Sequence, residues 1–156
     1  MEALTNWKII LIGGIVFYAV TWTISMLTCP FIHEGFMTSL YESTASFWRP
    51  ELTQDPPDMA ALMPRWIASG LVTSFIFAGV YGSIRSALDG PAWKKGLTFG
   101  VILTLIGASF NLQMSGFFNL PDDIWMWWCI ELPAYYLPSG IALGWLAEKL
   151  VPEAAG

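Results

Sequence analysis

A glutamate in the middle of an apolar run is the first residue with chemistry to offer. Glu131 lies within residues 124–150, a stretch long and apolar enough to cross a bilayer. A carboxylate at such depth is costly, and membrane proteins keep one against a partner, a cavity or an ion path. Four residues C-terminal to it stands Tyr135, on the same helix face. The same i, i+4 spacing recurs as Thr21/Ser25, Ser69/Thr73 and Asn111/Ser115. At 1.5 Å of rise per residue, Glu131 and Asn111 each fall about 10 Å below the same end of their helices. These depths predict a polar pocket anchored on Glu131, with Asn111, Gln113, Tyr135, Ser25 and His33 as its ligand-binding set. The chemistry it would carry is proton, cation or hydrogen-bond-donor binding.

A second set is built from soft and borderline ligands. Cys29, His33, Glu34 and Met37 stand within nine residues, and with the other methionines toward that end they are the donors Cu(I) prefers. Copper is therefore a candidate cofactor, although no Met-x-x-Met or Cys-x-x-Cys spacing repeats. A lone histidine excludes bis-histidine haem and a three-histidine zinc site within one chain. Trp125, Trp127 and Trp128 are read mainly as an aromatic belt, with a wall for a lipid or quinone-like ligand as the alternative. No nucleophile–base pair or metal motif is evident, so the expectation leans away from an enzyme. Cys-x-x-Cys pairs of a disulfide-forming oxidase, a first-helix carboxylate of the kind small multidrug carriers use, and a Gly-Leu-Trp-Cys-Cys loop pattern are all missing.

The elements that must hold these residues follow from composition. The 156 residues are 55% hydrophobic and 12% charged, with a mean hydropathy of +0.55, which points to an integral membrane protein. The net charge of −5 comes with no basic stripe, so nucleic acid is not an expected partner. Four apolar stretches, about 7–28, 64–86, 97–118 and 124–149, predict an all-α integral membrane protein with four transmembrane helices in an up-down-up-down bundle. It is read as one domain, 1–156. Lys8, Arg85, Lys94, Lys95 and Lys149 fall on one side and only Arg49 and Arg65 on the other. The positive-inside rule then places both termini in the cytoplasm of a cell whose inner, or plasma, membrane holds the chain.

The outer loop 30–63 is long. Met37, Leu40, Tyr41, Phe47 and Trp48 within Phe31 to Trp48 have the spacing of a short interfacial helix, and residues 49–58 read as an extended return. Pro133 and Pro138 predict a kink below Glu131. Gly140-x-x-x-Gly144 marks a helix-pairing face, with Gly79, Gly82, Gly100 and Gly107 as partner surfaces. Cys29 and Cys129 are expected at different depths and unpaired.

The expected function is that of a small binding or accessory subunit with an outward-facing polar pocket around Glu131, acting as a homo-oligomer or within a larger membrane complex. The alternative is a carrier of a cation, proton or small solute, Cu(I) included, that uses Glu131.

Overall fold

The computed structural model describes residues 6–152, and among these it is helical with no strand. Six helices are numbered here: α1 Ile9–Phe36, α2 Thr38–Ser43, α3 Pro50–Thr53, α4 Met59–Ile84, α5 Ala92–Ser115 and α6 Asp122–Leu150. Three helical segments, Ile9–Phe36, Met59–Ala87 and Ala92–Ser115, are long and apolar enough to cross a membrane. At 29 residues α6 matches them in length, but Glu131, Pro133 and Pro138 dilute its hydropathy. Leu105, Ile106, Phe110, Val72 and Ile76 are among the large apolar side chains left on the surface, as a lipid-facing exterior requires.

α1 runs further than its sequence predicts. A stop was expected at Cys29-Pro30, yet the helix passes through Pro30 and ends in a π-helical turn, Ile32–Phe36. Proline removes one N–H and crowds the carbonyl four residues back. A widened π turn following it accommodates that crowding. The extra turn carries His33 onto α1 and ends with Phe36 stacked on Trp127 at 5.1 Å.

The segment expected as one helix over 31–48 is consequently divided. Its first residues belong to α1, and α2 follows a break at Met37, whose side chain is fully buried. Thr44 closes α2: its hydroxyl donates to the Leu40 carbonyl at 2.7 Å and accepts from Trp48 Nε1 at 2.9 Å. The return to α4 contains the helical turn α3 and a cis Asp55–Pro56 bond. Asp58 caps α4 by accepting from the Ala61 N–H at 3.0 Å. At the other end of α4, Gly90 supplies the positive φ (98°) that turns the chain toward α5.

Glycines decide how α5 and α6 meet. They run antiparallel, with Gly96 against Gly140, Gly144 against Ala92 and Gly100 against Tyr136 and Leu137. A Cβ on Gly96 or Gly140 would strike the partner's backbone, not a movable side chain. The Gly140-x-x-x-Gly144 face thus packs within the chain, and Gly96, with Gly100, is its partner. α1 packs on α4 through Gly13 and Gly14, which face Ala78 and Phe75, and on α6 through Leu143 and Ser139.

The two ends of this assembly differ. Ile9, Phe17, Ala78, Tyr81, Phe99, Leu103, Leu143 and Ala147 form the apolar core. Beyond it Arg85, 8% exposed, donates to the carbonyls of Ala147 at 3.1 Å and Val151 at 2.6 Å. The guanidinium is a second donor to the Ala147 carbonyl, which also accepts the Val151 N–H, and it complements the negative end of the α6 dipole. Polar side chains gather toward the opposite end.

Candidate functional site: a carboxylate–imidazole pair between the first and last long helices

Three polar rungs join α1 to α6. Thr21 and Ser139 hydroxyls lie 2.8 Å apart, and Ser139 also donates to the Tyr135 carbonyl at 2.7 Å. Thr28 and the Tyr135 hydroxyl lie 3.4 Å apart. Outermost, His33 Nε2 approaches Glu131 Oε1 to 3.0 Å. The Glu131 side chain is 5% exposed and that of His33 28%. The imidazole N–H does not point straight along this line, and Oε1 has no aligned hydrogen-bond donor among the described residues. The contact is therefore a close charge–dipole or ion pair, not an optimised hydrogen bond.

The other imidazole nitrogen is engaged more tightly. His33 Nδ1 and the Tyr41 hydroxyl lie 2.7 Å apart, with the two rings stacked at 10°. Trp128 Nε1 donates to the same Tyr41 oxygen at 3.3 Å, and Met37 Sδ lies 3.5 Å from it. α1 thus supplies the imidazole, α2 the phenol and α6 both the carboxylate and the indole.

This arrangement accepts either protonation state of His33. With a neutral ring, Nε2–H faces the carboxylate and Nδ1 accepts the Tyr41 O–H. With a protonated ring, Nδ1–H donates to the Tyr41 oxygen and the phenolic hydrogen turns to Met37 Sδ. Trp128 donates to Tyr41 in both. The Tyr41 oxygen and His33 Nδ1 keep a partner in both patterns, and losing one would otherwise cost about 1–3 kcal/mol. The Tyr41 hydroxyl can thus donate to or accept from the imidazole, with the Trp128 N–H and Met37 Sδ beside the same oxygen.

Burial raises the Tyr41 phenol to about 12; the Trp128 N–H works against this, and the negative charge of Glu131 adds to it. A raised folded value means stability is fully present below the ordinary 10.0 and is lost as pH climbs through about 12. Subtracting the alkaline ultraviolet titration of Tyr41→Phe from that of wild type is expected to leave one tyrosine ionising near 12. A difference curve centred near 10 refutes a buried, hydrogen-bonded phenol.

Of the predicted ligand-binding set, the structure brings Glu131, His33, Tyr135 and Ser25 together; the Tyr135 hydroxyl lies within electrostatic reach of Glu131 and near Ser25. Asn111 is half-buried and Gln113 exposed, and no hydrogen bond joins either to Glu131 among the described residues. The i, i+4 stripes were read as a common level on four helices, but α1, not α5, supplies the partner of Glu131. Tyr41 and Trp128 complete the cluster. Trp128 was readable from its i−3 spacing to Glu131; Tyr41 required knowing that α2 folds back over His33.

The residues read as a soft-metal set each contact a neighbour, and His33 and Met37 share the Tyr41 hydroxyl. Cys29 Sγ lies 3.9 Å from Glu34 Oε1, Met37 meets Tyr41, and His33 meets Glu131. Among the described residues no group of three or more His, Cys, Asp or Glu side chains converges on one point. Cys29 and Cys129 are free thiols.

Compared with known protein families, curated proteins and solved structures, the chain matches none.

Proposed function

We propose that this chain is a four-helix, up-down-up-down protein of the cell's inner or plasma membrane, with α6 as the fourth span and α2 lying at the outer surface over the site. In this reading both termini are cytoplasmic, and the protein acts as a binding or accessory subunit in a homo-oligomer or a larger membrane complex. Glu131 is its binding group, and His33 and Tyr41 set that group's charge. The observation that carries the reading is the one-sidedness of the polar ladder. From His33 it descends through Thr28–Tyr135 to Thr21–Ser139. Below that lie the packed rings of Phe17, Phe77 and Tyr136, with centroids 5.8–6.3 Å apart. A site reached from one face suits binding and signalling to a partner better than passage through the membrane.

A carrier of a proton or cation is the second reading, favoured by the two interchangeable hydrogen-bond patterns around His33. The two separate in one experiment on Glu131→Gln, a shape-preserving change. In the binding-subunit reading the variant folds, loses co-purifying partner or ligand in native mass spectrometry, and wild type moves no protons or cations in proteoliposomes. Wild-type uptake that Glu131→Gln abolishes, with assembly intact, overturns this reading in favour of the carrier.

A further inference from the structure

Away from Glu131, the outer face of the α5–α6 pair is hollowed into a groove of about 460 Å³. Ala108, Leu112, Met126, Cys129 and Ile130 make its apolar length, and Ser115, Asp122 and Trp125 its polar end. From Asp122 to Ile130 the groove follows α6 for about 12 Å of helical rise. Polarity is thus graded along it in the order of a membrane amphiphile: head at the helix end, tail toward the middle.

Two features of the polar end narrow the occupant. Trp125 is 6% exposed and its Nε1–H has no acceptor among the described residues. An aromatic-belt tryptophan ordinarily turns its N–H to the wet interface, whereas this donor is enclosed, and an unsatisfied buried donor favours any acceptor brought to it. The Trp125 ring sits between Trp128, at 5.2 Å, and the half-exposed Phe118, at 6.4 Å. The charge at the mouth is negative: Asp122 lines the groove, Asp123 is its exposed neighbour, and no lysine or arginine lines it. Ser115 already donates to Leu112 at 2.8 Å, which leaves its oxygen to accept.

We propose that this groove binds one zwitterionic aminophospholipid of the surrounding bilayer. Its ammonium pairs with Asp122, a phosphate or ester oxygen accepts the Trp125 N–H, and one acyl chain lies along Leu112, Met126 and Ile130. An anionic headgroup lacking the amine would meet Asp122 and Asp123 with like charge.

The test uses the full chain in a mild detergent, exposed to phosphatidylethanolamine or phosphatidylglycerol with identical acyl chains, and counts retained lipids by native mass spectrometry. Wild type is expected to hold one phosphatidylethanolamine with a preference of at least about tenfold, a factor equal to one good charge-assisted hydrogen bond. Asp122→Asn is expected to erase most of that preference. Trp125→Phe, which keeps the ring and removes the donor, is expected to weaken retention about three- to tenfold for both lipids. Leu112→Trp fills the groove without touching its polar end and is expected to abolish retention, which keeps the test informative if Trp125→Phe does not fold. Equal retention of the two lipids by wild type, or retention unchanged by Leu112→Trp, overturns the proposal in favour of non-specific annular lipid.

Discussion

Replacing Gly140 with valine is expected to prevent recovery of folded, monodisperse protein. The Cβ that valine adds would fall on the Gly96 carbonyl and against the Gly100 backbone. Ordinary overpacking costs about 1–3 kcal/mol because side chains and backbone yield slightly. Here the obstacle is main chain on the facing helix, held by its own hydrogen bonds, so α5 and α6 must separate along the whole contact. Contacts from Ala92–Gly144 to Gly107–Leu132 would loosen together. In lipid no solvent-driven hydrophobic force holds helices together, so close packing contributes most of the association. A change at Gly79 offers the contrast: its added Cβ would meet only Ile10 side-chain atoms, at 3.6 Å and beyond. Gly79→Ala should therefore behave as wild type. Size-exclusion profile and thermal unfolding of the two variants, side by side, check the claim. If Gly140→Val is monodisperse and melts with wild type, the glycine contact does not hold the helices.

The second large effect is expected at the His33–Glu131 pair, and its signature is non-additivity. Removing the imidazole leaves a carboxylate that is 5% exposed beside the Tyr135 phenol. Breaking a fully buried pair from one side costs about 3–5 kcal/mol. His33 is 28% exposed, so water screens the interaction and the lower part of that range, or somewhat beneath it, is expected. His33→Leu alone should therefore destabilise by about 2–3 kcal/mol. Adding Glu131→Leu removes the stranded charge, and the double variant should recover much of the loss. A double-mutant cycle, read from denaturant unfolding in a fixed detergent mixture, is expected to give a coupling of about 1–3 kcal/mol. Costs that simply add, within about 0.5 kcal/mol, mean that the 3.0 Å approach carries no energy. This measurement is independent of any ligand, so it tests the site's chemistry apart from its biological use.

Much of the fold could be read directly from the chain. Of the four apolar stretches marked by hydropathy, three lie in helices long and apolar enough to cross a membrane, because that needs only length and low polarity, and both are local properties. Turn residues act as locally: Gly90-Pro91 and Leu120-Pro121 lie in the connections, with Pro91 and Pro121 at the N-caps of α5 and α6. Helix ends marked by proline alone were less dependable. Pro30 was read as a stop, and the π turn after it kept α1 going as far as Phe36. That single difference moves His33 from a loop onto the helix that faces Glu131.

The site shows the same division. Glu131 stood out unaided, since the cost of a carboxylate among apolar residues depends on its neighbours in sequence. Tyr135 followed from the 3.6-residue period, which relates positions on one helix. No such period relates one helix to another. Which stripe turns toward Glu131 depends on how each helix rotates in its packing, and that was decided elsewhere, by Gly96 and Gly140 bringing α5 against α6 and by Gly13 and Gly14 seating α1. Sequence by itself determined the class of protein, its apolar helices and the residue most costly to bury. Tertiary structure alone selected His33 over Asn111 and Gln113 among the expected partners of that residue and brought Tyr41 onto His33, because contacts between helices arise from close packing of surfaces that no single stretch of chain contains.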